Sequence, residues 1–148
     1  MAKGSAIARK SMARLVAAQL FYRQNFGKVS AKKLLEEFRE TGPMLDSEIE
    51  WVDVDKDLLV NIIQGYENHK GLVDEMLAAR LSADQASEPM LNAVLKPGIY
   101  ELLFNTTTDV PLIISEYLTI ADSFFEGRET ALINGVLDQV GKLARPKD

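Results

Sequence analysis

Eight cations precede the first carboxylate of this chain. Lys3, Arg9, Lys10, Arg14, Arg23, Lys28, Lys32 and Lys33 all lie before Glu36, so the opening segment is +8 while the whole 148-residue chain is −5. The remainder carries 9 basic and 22 acidic residues and is therefore −13. The chemistry open to such a segment is neutralisation of a polyanion: each cation laid on a phosphate releases a counterion, and affinity then falls with salt. A solvated Lys-rich helix face would have the same composition, and charge alone leaves both readings open.

Groups that make and break bonds are sparse. His69 is the single histidine, placed between Glu67 and Lys70 where a surface or packing role is expected. There is no cysteine, hence no disulfide, thiolate nucleophile or thiolate metal site. Glu36-Glu37 and Glu48, Glu50, Asp53, Asp55 and Asp57 read as helix starts and caps, without the glycine-centred loop of a calcium site. Neither a glycine-rich phosphate loop nor a nucleophile elbow is present. The expectation is a binding protein with no catalytic residues, metal or cofactor.

The elements that must position the cations are helical. From about Ser5 to Phe26, Ala8, Met12, Leu15, Gln19, Tyr22 and Phe26 share one face at 100° per residue, with Lys3, Lys10 and Arg14 on the opposite side. Gly27 is placed at C′. Ser30 caps a helix burying Leu34, Leu35 and Phe38, stopped by Gly42-Pro43. Met44 to Val54 is an acidic connector containing Trp51, and Asp55 caps one long helix continuing through Leu77, in which Gly65 and Gly71 read as close helix packing or a kink. Pro89 to Phe104 is helical in pattern, with Lys96-Pro97-Gly98 expected to break or kink it. Leu112 to Phe125 and Glu129 to Ala144 close the chain.

No strand alternation appears, and six or seven helices are expected: an all-α domain over 1–148, with a basic helical part to about residue 80 and a second from about 88. No apolar run approaches the roughly 20 residues of a bilayer span. The N-terminus lacks a signal-peptide core, so a cytoplasmic protein without membrane contact is expected.

The last helix contains Asn134-Gly135, a turn signal inside a helical pattern. On the helical wheel Leu132, Ile133, Val136, Leu137, Val140, Leu143 and Ala144 form the apolar arc, and Asn134 and Gly135 face away from it. An outward glycine permits close approach, and the Asn134 amide can donate and accept.

"INGVLDQV" followed by Arg145-Pro146-Lys147 resembles the C-terminal signature of the NusB family of bacterial transcription antitermination factors, with Leu132-Ile133 for the usual Phe-Val. "ARLVAAQLFY" is similar to the family's first helix at Ala13, Arg14, Ala17, Gln19 and Tyr22. In the middle, Gly65 is followed nine residues later by Asp74; then "AVLKPGIYELLF" matches at Leu95, Tyr100, Glu101, Leu102 and Leu103. "VPLIISEYLTIADSF" keeps Val110-Pro111, Ile114 and Glu116 of a longer pattern.

The resemblance implies an all-α fold of two small helical subdomains. It also implies binding of boxA RNA with the small-subunit ribosomal protein NusE, within an elongation complex that includes other Nus factors and reads through terminators in ribosomal RNA operons. Lys3, Arg9, Lys10 and Arg14 are then expected on phosphates, with Phe124 and Asn134 completing the RNA surface; Phe124 could equally be core. Tyr22, Lys96, Tyr100 and Glu101 are expected at the protein-partner surface, Tyr22 alternatively in the core. Homodimerisation stays open. The chain departs from the pattern at Leu91-Asn92 (usually an acid–base pair), Pro97-Gly98 (an apolar pair), Phe125 (a glycine) and Ala131 (a basic residue). An adaptor that binds proteins but not RNA is the alternative. The RNA methyltransferases to which NusB-like domains are also fused rank last, because this chain lacks their catalytic domain and cysteine.

Overall fold

The structure, a computed structural model, describes residues 5–27, 29–41 and 54–146. Among the described residues there are eight helices and no strand: α1 (Ala6–Gly27), α2 (Ala31–Thr41), α3 (Lys56–Asn68), α4 (Lys70–Ala78), α5 (Ala83–Ala86), α6 (Pro89–Phe104), α7 (Val110–Asp122) and α8 (Gly127–Ala144). Trp51 and most of the acidic connector lie outside the described residues.

Local chemistry sets most of the helix starts. Ser5 Oγ accepts from the Ala8 amide and Ser30 Oγ from the Lys33 amide, while Asp55 accepts from Leu58 at 3.0 Å. Ser82 and Gln85 form a reciprocal capping box. That box explains α5, a single turn between the two expected helical parts. Pro89 and Pro111 sit in the first turns of α6 and α7, where a missing amide donor costs nothing.

α6 is the axis of the bundle. It packs against α1, α3, α4, α5, α7 and α8, and its residues from Leu91 to Leu102 are buried apart from the half-buried Lys96. The core is continuous from Ala13 in α1 to Val140 in α8. Small residues on α1, Ala13, Ala17 and Ala18, are buried where it meets its neighbours.

Four expectations about elements need correction. The long middle helix is two, because His69 leaves helical geometry at φ −125°, ψ 24° and is at once the C-cap of α3 and the N-cap of α4. α6 runs through Pro97 without interruption; Gly98 beside it admits Leu137 of α8 and Tyr117 of α7, so tertiary packing outweighs one lost amide donor. Gly27 is the last residue of α1 and not a cap beyond it. Leu143, placed in the apolar arc of α8, is 62% exposed, whereas Ile133, Val136, Leu137 and Val140 are buried and Asn134 and Gly135 face solvent as the wheel requires.

No helix among the described residues is long and apolar enough to cross a membrane.

Candidate nucleic-acid interface

The cationic stripe of α1 is partly internal. α1 contacts α3, α6 and α7, so from Ala13 to Phe21 it is enclosed almost all round and has no simple solvent face opposite an apolar one. Arg14 is 2% exposed. Its guanidinium grips Glu101 through a two-pronged contact, Nε to Oε2 at 2.7 Å and Nη2 to Oε1 at 2.9 Å, and donates from Nη1 to Glu116 at 2.8 Å. Tyr117 and Asn105 also donate to Glu101, at 2.6 and 2.7 Å, and Ser11 donates to Glu116 at 2.6 Å. Burial alone would lower the Arg14 pKa, but the bond and charge of Glu101 raise it, so it stays a cation. Two carboxyl groups thus share one guanidinium. Arg14 was expected as a cation on the RNA surface; the structure places it instead in the interior, its donors taken by Glu101 and Glu116, where it ties α1 to α6 and α7.

Further towards the N-terminus the cations reach the surface. Lys10, its side chain 48% exposed, pairs with Asp55 at 3.0 Å, and half-buried Arg9 donates to the Val54 carbonyl at 3.3 Å. Burial pushes the Asp55 carboxyl up, but the Leu58 amide, Lys10 and Arg9 outweigh it and hold its pKa below the usual value. A groove of about 510 Å³ next to Lys10 is lined also by Arg14, Asp55, Asp57, Asn61, Phe104 and residues 105–108, so acids as well as cations border it. Lys3 lies outside the described residues. On the C-terminal half, Phe124 is 38% exposed and Asn134 is exposed. α1 and α8 are both built against α6 and α7.

The four residues expected at a protein-partner surface divide. Lys96 is half-buried, 3.6 Å from Asp74 and over the Tyr66 ring. Tyr22 is half-buried against the core. Tyr100 is 4% exposed, its hydroxyl donating to Asn61 at 3.1 Å, and Glu101 is fully buried. Glu101, expected at that surface, lies inside the fold, where four donor atoms already occupy its carboxylate.

Arg145 was legible only as part of a basic tail. Its guanidinium donates to the backbone carbonyls of Glu101, Leu102, Asn105 and Thr108, closing the end of α6 and the loop to α7. Glu116, Tyr117 and Asn105 were not singled out for any role, although Glu116 belongs to the motif around Val110-Pro111. His69, read as a surface or packing residue, is exposed and stacks on Phe104 at 4.0 Å between ring centroids. No group of three or more His, Cys, Asp or Glu among the described residues could hold a metal.

Two buried tyrosines give a pH prediction. Burial, then the 2.6 Å bond to Asp74 and its charge, raise Tyr66 above the ordinary 10.0; burial and Glu101 raise Tyr117 in the same direction. The folded chain thus holds phenol protons that the unfolded chain releases. Stability is full below about pH 10 and falls as pH rises above it. Urea midpoints should drop between about pH 8 and about pH 11, and Tyr66→Phe should flatten the drop; an unchanged slope would remove Tyr66 from this account.

The fold and these surfaces define a helical scaffold whose exposed polar groups are presented on helix faces. Comparison with known proteins narrows the class. The model of the NusB family matches residues 11–142, and the chain belongs to that family. It is 32% identical over 143 residues to the Transcription antitermination protein NusB of Sphingopyxis alaskensis, covering 93% of this chain and 95% of the relative. It is 31% identical over 146 residues to the protein of the same name from Caulobacter vibrioides, covering 96% and 98%. The solved T. maritima NusB superposes with a TM-score of 0.72 over 92% of both chains at 21% identity, which speaks to the fold. Both of these relatives are named for transcription antitermination.

Proposed function

We propose that this chain is a transcription antitermination factor that binds boxA RNA together with the ribosomal protein NusE, in the cytoplasm, and promotes read-through by RNA polymerase, especially in ribosomal RNA operons. The observation that carries the reading is the near full-length match to relatives named for antitermination. Lys3, Arg9 and Lys10 supply the phosphate contacts, Phe124 a face for a base and Asn134 an amide for its edge. Lys96 and Tyr22 face the protein partner. Arg14, Tyr100 and Glu101 hold these surfaces in place from behind.

Fluorescence anisotropy with boxA RNA and a scrambled RNA, with and without the ribosomal protein, tests the reading. Affinity should fall with salt, and Lys10→Gln should reduce the slope of log K against log salt by about 0.7, as expected when one phosphate of a single strand is no longer neutralised. Equal binding of the scrambled RNA at moderate salt with the partner present would refute it. A protein partner retained by a chain without RNA affinity would favour the adaptor.

A further inference from the structure

Arg145 closes the last helix, yet its charge is committed to the end of another. It is the C-cap of α8 and half-buried, and its guanidinium donates to Glu101 and Leu102 in the last turns of α6, each at 3.1 Å, and to Asn105 and Thr108 in the loop to α7. The end of a helix leaves carbonyls without amide partners, and a planar fork of donors suits several of them at once. The loop is tied from inside as well. Asn105 donates to the Glu101 carboxylate at 2.7 Å and accepts from the Thr107 hydroxyl at 3.0 Å, and the Thr108 amide donates to the Asn105 carbonyl. Residues 105–108, none of them charged, are thus held in one shape by the end of α8 and the buried carboxylate together.

This loop borders Lys10. Thr107 and Thr108 line both the groove of about 510 Å³ and a smaller one of about 260 Å³ that takes in Ile7 and Leu112, and Lys10 lines both too. The larger groove also contains Asp55 and Asp57, which repel a phosphate, whereas the loop offers hydroxyls. Thr106 and Thr107 are exposed. A hydroxyl donates and accepts, and it serves phosphate oxygens and the ribose 2′-OH alike. A loop that must be ordered on binding costs affinity, and one already fixed avoids that cost.

We propose that Arg145 is a positioning residue of this groove: from the end of α8 it fixes residues 105–108 as the uncharged wall that meets the ribose–phosphate backbone beside Lys10. The proposal rests on the RNA reading above and refines it, separating a cation that touches the transcript from one that shapes its seat.

Anisotropy titrations of the full chain with boxA RNA, the ribosomal protein present, test it. Arg145→Lys keeps the charge but not the fork, and should weaken binding about tenfold with helical circular dichroism retained. Arg145→Gln should weaken it similarly and leave the slope of log K against log salt unchanged; a slope smaller by about 0.7 would mean that Arg145 itself touches a phosphate. Thr107→Val should weaken the unaltered chain about threefold and add little to Arg145→Lys, since both act through one wall. Val73→Ala, which leaves a cavity behind α4, should lower stability but not RNA affinity, and so separates shaping of the groove from general loosening. Full affinity in Arg145→Lys, a reduced salt slope in Arg145→Gln or additive effects of Thr107→Val and Arg145→Lys would each overturn the proposal while the RNA reading stands. So would an equal loss of affinity from Val73→Ala, or failure of both Arg145 variants to fold. An unaltered chain that binds boxA RNA no better than a scrambled one removes the RNA reading first, and the proposal with it.

Discussion

Glu101→Ala should lower the free energy of unfolding by about 3–5 kcal/mol, the usual cost of removing one partner from a buried ion pair. Domains of this size are typically stable by about 5–15 kcal/mol, so the variant should be close to unfolded. The reason lies in what remains. Arg14, 2% exposed, would keep one bond to Glu116, whose side chain is 17% exposed, and lose its two-pronged partner. Tyr117 and Asn105 would lose their acceptor inside the same cluster. Urea denaturation followed by circular dichroism gives the number. Glu101→Gln should cost less, since its amide oxygen still accepts from Tyr117. Combining Arg14→Met with Glu101→Leu should recover part of the loss, because the charges then leave together. A loss below about 1 kcal/mol for Glu101→Ala would mean that water or a rearranged Glu116 compensates Arg14. On the same grounds Arg14→Glu should lose helical signal and RNA affinity together, which separates it from a surface phosphate contact.

This cluster marks where sequence reading stops. The wheel for α1 assumes one apolar face and one wet face, and Arg14 falls on the wet one. That assumption fails for a helix with neighbours on three sides. The acids that accompany Arg14 into the interior are 87 and 102 residues away, and no local pattern announces them. The capping residues Ser30 and Asp55 were legible because a cap acts within three residues. The outward placement of Asn134 and Gly135 was legible because α8 really is one-sided, buried at Ile133, Val136, Leu137 and Val140. The break at His69 was legible only as a possible kink near Gly71, because no proline or glycine occupies the position itself and it divides two segments with compatible periodicity. Pro97 misled in the other direction, because the local rule for proline knows nothing of Leu137 and Tyr117 packed at Gly98. Of the expected site, Lys10, Phe124 and Asn134 are exposed, while Arg14, Tyr100 and Glu101 are buried. Family motifs identify positions that matter without saying whether they matter by contact or by support.

Gly65 shows the supporting kind. Gly65→Ala would normally stabilise a helix by about 1 kcal/mol; here it should destabilise by about 1–3 kcal/mol through overpacking. A Cβ at Gly65 would overlap both Oη and Cζ of Tyr100. The ring cannot easily give way: it is 4% exposed, anchored to Asn61 and stacked on Phe104 at 5.3 Å. Tyr100→Phe should not relieve Gly65→Ala, because Cζ remains, whereas Tyr100→Leu should, with a coupling of about 1 kcal/mol or more in a double-mutant cycle. A neutral or stabilising Gly65→Ala would show that the ring is free to move and that α3 does not fix α6 at this point. The partner of Gly65 in the motif, Asp74 on α4, also bears on α6: it accepts from Tyr66 at 2.6 Å and lies 3.6 Å from Lys96. Glycine admits Tyr100 and aspartate holds Lys96, so a spacing of nine residues on α3 and α4 sets the depth and the rotation of α6. The same two contacts hold Lys96 half-buried beside Asp74 and Tyr100, four residues on, buried against Gly65.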